Sequence, residues 1–151
     1  MSDPVLGVVS PVRLEYTFSA GRAQSRFLRG LMERRFVGQR CGKCQGVYVP
    51  GRGSCAICGI ATDEEVDVGP QGTVTMFCIV NVPFAGQQVE PPYACASIML
   101  DGADVALFHL VQEISANEVR TGLRVEPVWE NERRPSMESV RYFRPVGGDH
   151  A

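Results

Sequence analysis

Two cysteine pairs with the same internal spacing are the residues of this chain best suited to chemistry. The first pair is Cys41 and Cys44, the second is Cys55 and Cys58, and ten residues separate them. Two residues between cysteines let both thiolates of a pair bind one ion, and two pairs complete the sulfur tetrahedron that structural zinc prefers. All four positions are then filled by protein, which leaves no place for a catalytic water. The spacing therefore predicts a structural zinc site.

Other uses of the cysteines remain open, namely iron in the same cage, or redox and disulfide chemistry. A dithiol oxidoreductase needs a low-pKa cysteine at a helix N-terminus within a βαβ pattern, and neither pair is followed by one. Ligand softness and spacing favour zinc. Gly46 and Gly59 are expected to take positive φ just after the two pairs. Residues 45–54 should form a short hairpin with its turn at residues 50–53.

The segment before the cysteines predicts an amphipathic helix over residues 19–36. Apolar residues recur there at helical intervals on one side. The other side carries three arginines, which are Arg22, Arg26 and Arg29. Ser19 or Ser25 is expected to cap the start of the helix. Alternation over residues 12–18 predicts a short leader strand before it.

The pattern of apolar residues in the second half of the chain predicts a small barrel. Alternating apolar residues predict five strands, at residues 73–82, 93–100, 105–111, 123–129 and 140–143. A polar or helical insert between the third and fourth strands is typical of an OB-like Greek-key barrel. Pro127 should occupy an edge or bulge position because it lacks an N–H donor. The acidic run at residues 63–67 is expected to be a solvated linker.

These elements predict a mainly β fold, in which an N-terminal helical segment and zinc ribbon precede a five-stranded OB-like barrel. We expect a leader strand and amphipathic helix over residues 1–37 and a rubredoxin-like zinc ribbon over residues 38–62. The OB-fold barrel is expected over residues 63–145 and a tail over residues 146–151. The length of 151 residues suits one domain or two small ones sharing a core.

Charge is divided unequally along the chain. The net charge is −2, but residues 1–60 carry nine basic and three acidic side chains, or +6, and residues 61–151 carry six and fourteen, or −8. Arginine-rich segments favour phosphates or acidic surfaces, whereas an acidic barrel argues against a broad nucleic-acid groove. No apolar run approaches the ~20 residues that span a bilayer. Together with cysteines suited to a reducing compartment, this predicts a soluble, cytoplasmic protein without membrane contact.

Catalytic constellations are not apparent in the sequence. It contains no nucleophile elbow, phosphate loop or dinucleotide fingerprint. His109 falls within an alternating strand pattern, which favours a hydrogen-bonded barrel histidine over a catalytic one. The remaining features describe binding, either of a small phosphorylated ligand or, as OB folds often do, of single-stranded nucleic acid.

The order of motifs along the chain resembles a known family of acyl-CoA-associated proteins. These proteins combine a rubredoxin-like zinc ribbon with an OB fold and were long catalogued as a domain of unknown function. The resemblance covers about residues 20 to 145. The segments that carry it are residues 26–31, 40–44, 49–50, 55–59, 72–74, 92–93 and 100–102.

The resemblance implies a non-catalytic accessory subunit. Family members accompany thiolase-like enzymes, including lipid-transfer-type thiolases, sterol side-chain aldolases and acyl-CoA hydratases, so the implied role is to help bind or present acyl-CoA, in lipid or sterol metabolism. By this analogy the metal ligands are Cys41, Cys44, Cys55 and Cys58.

Charge and position, rather than a matched motif, suggest the coenzyme A contacts. The candidates are Arg22, Arg26, Phe27 and Arg29. Three alternatives stay open: the arginines are only a solvated helix face, the chain binds single-stranded nucleic acid, or it is a structural partner that never touches ligand.

Overall fold

The computed structural model describes Gly7 and residues 14–147, which form one helix, a small sheet and a barrel. The elements are α1 (Gly21–Met32), β1 (Phe36–Arg40), β2 (Val47–Tyr48), β3 (Glu64–Val68), β4 (Gly72–Val80), β5 (Tyr93–Leu100), β6 (Leu107–Val111), β7 (Arg124–Trp129) and β8 (Val140–Pro145). Two 3-10 turns lie at Ala116–Glu118 and Met137–Ser139. The predicted mainly β fold is confirmed.

Helix α1 ends four residues before the predicted end. Arg34 adopts a left-handed φ of 59°, and its N–H donates to the Leu31 carbonyl at 3.1 Å. The N–H of Arg35 donates to the Gly30 carbonyl at 2.9 Å. These two bonds form a Schellman motif, which stops the helix. Phe36 therefore begins a strand, and the predicted helical end at residue 36 is wrong.

The start of the helix also differs from the prediction. Ala20 is the N-cap residue and makes no side-chain capping bond. Ser25 lies inside the helix, where its hydroxyl donates to the Gly21 carbonyl. The predicted capping by Ser19 or Ser25 is therefore wrong. Within the predicted leader strand, residues 14–18 form no strand and are exposed, and residues 12–13 lie outside the described residues.

The acidic run is a strand rather than a linker. Strand β3 pairs antiparallel with β1, which is the centre of a three-stranded sheet ordered β2-β1-β3. Arg40 lies opposite Glu64 in this register and the two form an ion pair at 3.0 Å. Arg35 pairs with Asp67 at 3.0 Å. Arginines of the first half thus neutralise carboxylates of the second, and the linker prediction is wrong.

The five predicted barrel strands all form. They close into a barrel ordered β4-β5-β6-β8-β7, in which only β6 and β8 pair in parallel. Strand β7 contacts β4 at Arg124 and Val125 only, so Pro127 needs no donor towards β4 and pairs with β8 alone. This agrees with the edge position predicted for Pro127.

Helix, sheet and barrel share one apolar core. Phe27 and Leu31 of α1 are each 1% exposed, and both belong to the same buried cluster as the barrel residue Phe143. The ring of Phe36 on β1 lies 5.1 Å from Trp129 and 6.1 Å from Phe143, measured between ring centroids. The helix and the three-stranded sheet, which is called the ribbon sheet, are therefore packed directly on the barrel. The division at residues 62 and 63 stays a prediction.

None of the helices in residues 14–147 is long and apolar enough to cross a membrane.

Candidate metal centre and cationic helix face

The four predicted cysteine ligands come together at one end of the ribbon sheet. Their sulfur atoms all lie within 4.8 Å of one another. Both pairs lie in turns with the same backbone hydrogen bonds. The carbonyl of the first cysteine accepts a bond from the N–H of the residue four positions later, and its own N–H donates to the carbonyl of the residue five positions later. The bonds are Gln45 N–H to Cys41, Cys41 N–H to Gly46, Gly59 N–H to Cys55 and Cys55 N–H to Ile60, at 2.8–2.9 Å.

The left-handed residue of each turn is the fifth residue counted from the first cysteine of the pair. In the second turn it is Gly59, with φ of 69°, as predicted. In the first turn it is Gln45, with φ of 63°, so the expectation for Gly46 is wrong. The side-chain amide of Gln45 donates to the Gly42 carbonyl at 3.2 Å, which holds this turn locally.

The hydroxyl of Tyr48 contacts the second cysteine turn, and the sequence did not predict this contact. Its hydroxyl lies 3.2 Å from the sulfur of Cys55 and accepts a bond from the N–H of Ala56 at 3.2 Å. The hydroxyl therefore donates to the sulfur. This bond, with a second from the N–H of Cys58, lowers the pKa of the Cys55 thiol to about 6.

The other sulfurs oppose full deprotonation of the cluster. Burial, together with hydrogen bonds that the Cys58 thiol donates to neighbouring sulfurs, raises the pKa of Cys58 to about 12. A dication placed among the sulfurs removes this opposition because it stabilises every thiolate at once. Tetrahedral Zn–S bonds of about 2.3 Å would place sulfurs about 3.8 Å apart, which the cluster can reach with small shifts. Cys41 and Cys55 are buried, as suits a closed structural site, and the ribbon is a structural zinc site.

The three predicted arginines share one face of α1. Arg22, Arg26 and Arg29 follow at intervals of four and three residues and line one surface groove of about 420 Å³. Arg26 forms an ion pair with Glu65 at 3.1 Å. Arg22 and Arg29 are exposed and take part in no ion pair among the described residues. Phe27 lies beneath them in the core, so the helix offers guanidinium groups rather than an aromatic ring.

His109 belongs to the barrel wall. Its Nδ1 accepts a bond from the N–H of Leu110 at 2.9 Å, and its ring packs 5.8 Å from that of Phe143. Burial lowers the pKa of the imidazole, so the neutral form is favoured. These contacts agree with the barrel histidine predicted from the strand pattern.

A four-cysteine ribbon followed by a closed five-stranded barrel defines a zinc-ribbon and OB-fold protein. Residues 29–64 match the family model for the rubredoxin-like zinc ribbon domain of ChsH2. Residues 65–130 match the model for the C-terminal OB-fold domain of ChsH2. The chain therefore belongs to the ChsH2 family.

Two solved structures share this architecture. One is a chain of the "Ltp2-ChsH2(DUF35) aldolase", with 25% identity and a TM-score of 0.65, covering 83% of this chain and 95% of that chain. The other is a DUF35-family protein of unknown function from Sulfolobus solfataricus, with 20% identity and a TM-score of 0.64, covering 83% of this chain and 84% of that one. No curated protein sequence matches the chain.

Proposed function

We propose that this chain is a non-catalytic accessory subunit of a thiolase-like enzyme and helps to bind or present acyl-CoA. The observation that carries the proposal is the likeness to a chain of the Ltp2-ChsH2(DUF35) aldolase, since nearly the whole of that chain is matched. The proposed setting is lipid or sterol metabolism in the cytoplasm. The partner supplies the reacting groups, and this chain contributes orientation and charge.

The proposed contacts to coenzyme A lie on α1. Arg22 and Arg29 carry guanidinium groups free of ion pairs among the described residues, and such groups bind phosphate oxygens in bidentate fashion. Arg26 sits between them but shares its charge with Glu65. Phe27 is buried, so its proposed contribution is to hold the helix in place. The zinc ribbon fixes the strand onto which the helix packs.

Reconstitution with the partner enzyme tests this function. The chain is purified with its zinc, the enzyme that co-purifies with it is identified, and thioester turnover is measured for each component and for both together. We expect the enzyme to be thiolase-like and to gain activity or CoA affinity from the chain. Turnover of acyl-CoA by the chain alone would show that it is itself an enzyme and refute the accessory role.

A further inference from the structure

Three surface grooves of the structure share lining residues. The first is the arginine groove on α1. The second, of about 520 Å³, lies between the start of α1 and residues 51–53, which are called the ribbon turn, and is lined by both Arg22 and Arg52. The third, also about 520 Å³, lies between ribbon and barrel and is lined by Arg52, Ile57 and Val105. Because Arg22 lines the first two and Arg52 lines the last two, the three grooves adjoin one another on the surface, and together they are called the track.

The ribbon turn that carries Arg52 is held in place by Gln39. This buried side chain is 3% exposed, and its Oε1 accepts bonds from the N–H of Gly53 at 3.0 Å and the hydroxyl of Thr62 at 3.3 Å. A Cβ at Gly51 would lie 2.7 Å from the same oxygen. The turn therefore packs closely on Gln39 and keeps Arg52 at the junction of the grooves.

The position of Arg52 also depends on the metal ribbon. Its guanidinium lies 5.9 Å from the centroid of the Tyr48 ring, within cation–π range. Tyr48 is fixed in turn by its hydroxyl bonds to the Cys55 sulfur and the Ala56 N–H. On the other side, the turn approaches the helix, since a Cβ at Gly53 would lie 3.6 Å from that of Ala23. Arg52 thus spans the seam between ribbon and helix.

The two ends of the track differ in charge. Arg22, Arg29 and Arg52 are exposed and take part in no ion pair among the described residues, so the helix end attracts anions. The other end carries Asp104, whose carboxylate accepts a bond from the N–H of Val47 at 2.8 Å. A carboxylate repels phosphates. Beside it Ile57 is 83% exposed, which suits an apolar group.

We propose that this track binds one elongated ligand, a phosphorylated thioester with an apolar acyl group, in a fixed direction. Its phosphates lie between α1 and the ribbon turn, where Arg52 contacts them, and its acyl group lies over Ile57 and Val105. The inference rests on the proposed function and adds to it a binding residue, Arg52, and an orientation.

Calorimetric titration of the zinc-loaded full chain, alone and with its partner enzyme, tests this with two probes, CoA and octanoyl-CoA. Arg52→Ala is expected to weaken binding of both probes roughly tenfold, because a charge-assisted contact is lost. Ile57→Ser is expected to weaken octanoyl-CoA several-fold, as the removed apolar surface implies, and to leave CoA unchanged. Arg120→Ala is the matched control, since this exposed arginine of the barrel lies outside all three grooves.

The possible results separate the inference from the function on which it rests. If Arg22→Ala weakens CoA binding but Arg52→Ala behaves like Arg120→Ala, the track is wrong and the accessory function stands. Equal weakening of both probes by Ile57→Ser would overturn the orientation. If the wild-type chain binds neither probe, alone or with its partner, the acyl-CoA role itself is refuted.

Discussion

Replacing Tyr48 by phenylalanine removes one oxygen atom from beneath the metal site and leaves the aromatic ring in the core. That oxygen donates to the Cys55 sulfur and accepts from the Ala56 N–H, each at 3.2 Å. The thiolate loses a hydrogen bond, and a backbone donor of the second cysteine turn loses its acceptor. Partners that orient metal ligands in this way typically contribute 10–100-fold to metal affinity. We therefore expect Tyr48→Phe to weaken zinc binding by about that factor.

The pH dependence of zinc binding should change as well. The Tyr48 hydroxyl bond is the largest of the hydrogen bonds that together lower the pKa of Cys55 to about 6, so this thiolate persists until the pH falls through that value. Without the bond the pKa of Cys55 rises towards its ordinary value, and protons compete with zinc at higher pH. The midpoint of zinc release on acidification should therefore move to higher pH in the variant.

Competition with a chromophoric chelator, repeated between pH 5 and 8, measures both effects. Tyr142→Phe is the matched control, because the hydroxyl of Tyr142 donates to Glu113 at 2.6 Å on the barrel, away from the cysteines. The control should bind zinc as the wild type does. Wild-type zinc affinity and an unchanged release midpoint in Tyr48→Phe would refute the role assigned to the hydroxyl.

Three further predictions concern the metal, the helix and a surface ion pair. Cys44→Ser should lose zinc and unfold residues 38–62 while the barrel partly survives; metal analysis with circular dichroism checks this, and full zinc retention would contradict it. Gly30→Ala would place a Cβ 2.6 Å from a valine methyl on β1 and should destabilise the fold by about 1–3 kcal/mol in urea unfolding; an unchanged midpoint would contradict the close packing. Arg124 lowers the pKa of Asp101, so their pairing stabilises the fold above the unfolded carboxyl pKa and is lost as the pH falls through the lowered value. Because both side chains are about half exposed, Arg124→Ala should lower the free energy of unfolding only slightly at pH 7, and by less once the pH has fallen through the lowered pKa of Asp101; an equal cost above and below that pKa would exclude the ion pair as its source.

The metal site and the barrel strands were visible in the sequence because both depend on local spacing. Cysteines two residues apart must fold back on one ion, and alternation of apolar residues marks a half-buried strand wherever it occurs. The four ligands and the five barrel strands follow from these patterns without knowledge of contacts between distant segments.

The helix end and strand β3 were missed for different physical reasons. Arg34 takes the left-handed position that usually belongs to glycine, so the sequence carries no stop signal. The carboxylates of β3 look solvated until β1 brings Arg35 and Arg40 alongside them. Residues 64–68 form a strand because they pair with β1, which is distant in sequence. The composition and periodicity of the segment do not predict this pairing.

The contacts that Tyr48 makes at the metal site and Gln39 makes at the ribbon turn could not be predicted from the sequence either. Tyr48 stands seven positions before Cys55, and only the folding of the chain between them brings its hydroxyl to the sulfur; residues 45–54 do not form the predicted hairpin, because Val47 and Tyr48 pair with β1 and Ser54 with Ala61. Gln39 reaches the ribbon turn in the same way, across fourteen residues to Gly53. Such residues are found by their contacts, because neither a tyrosine nor a glutamine marks such a role by its type alone.

The central claim is that this chain assists a thiolase-like enzyme and performs no bond chemistry itself. The most direct measurement is thioester turnover by the co-purified enzyme, with and without the zinc-loaded chain, at saturating and limiting acyl-CoA. We predict that adding the chain lowers the KM for acyl-CoA or raises kcat, and that the chain alone is inactive. Identical kinetics with and without the chain, or turnover by the chain alone, would contradict the account.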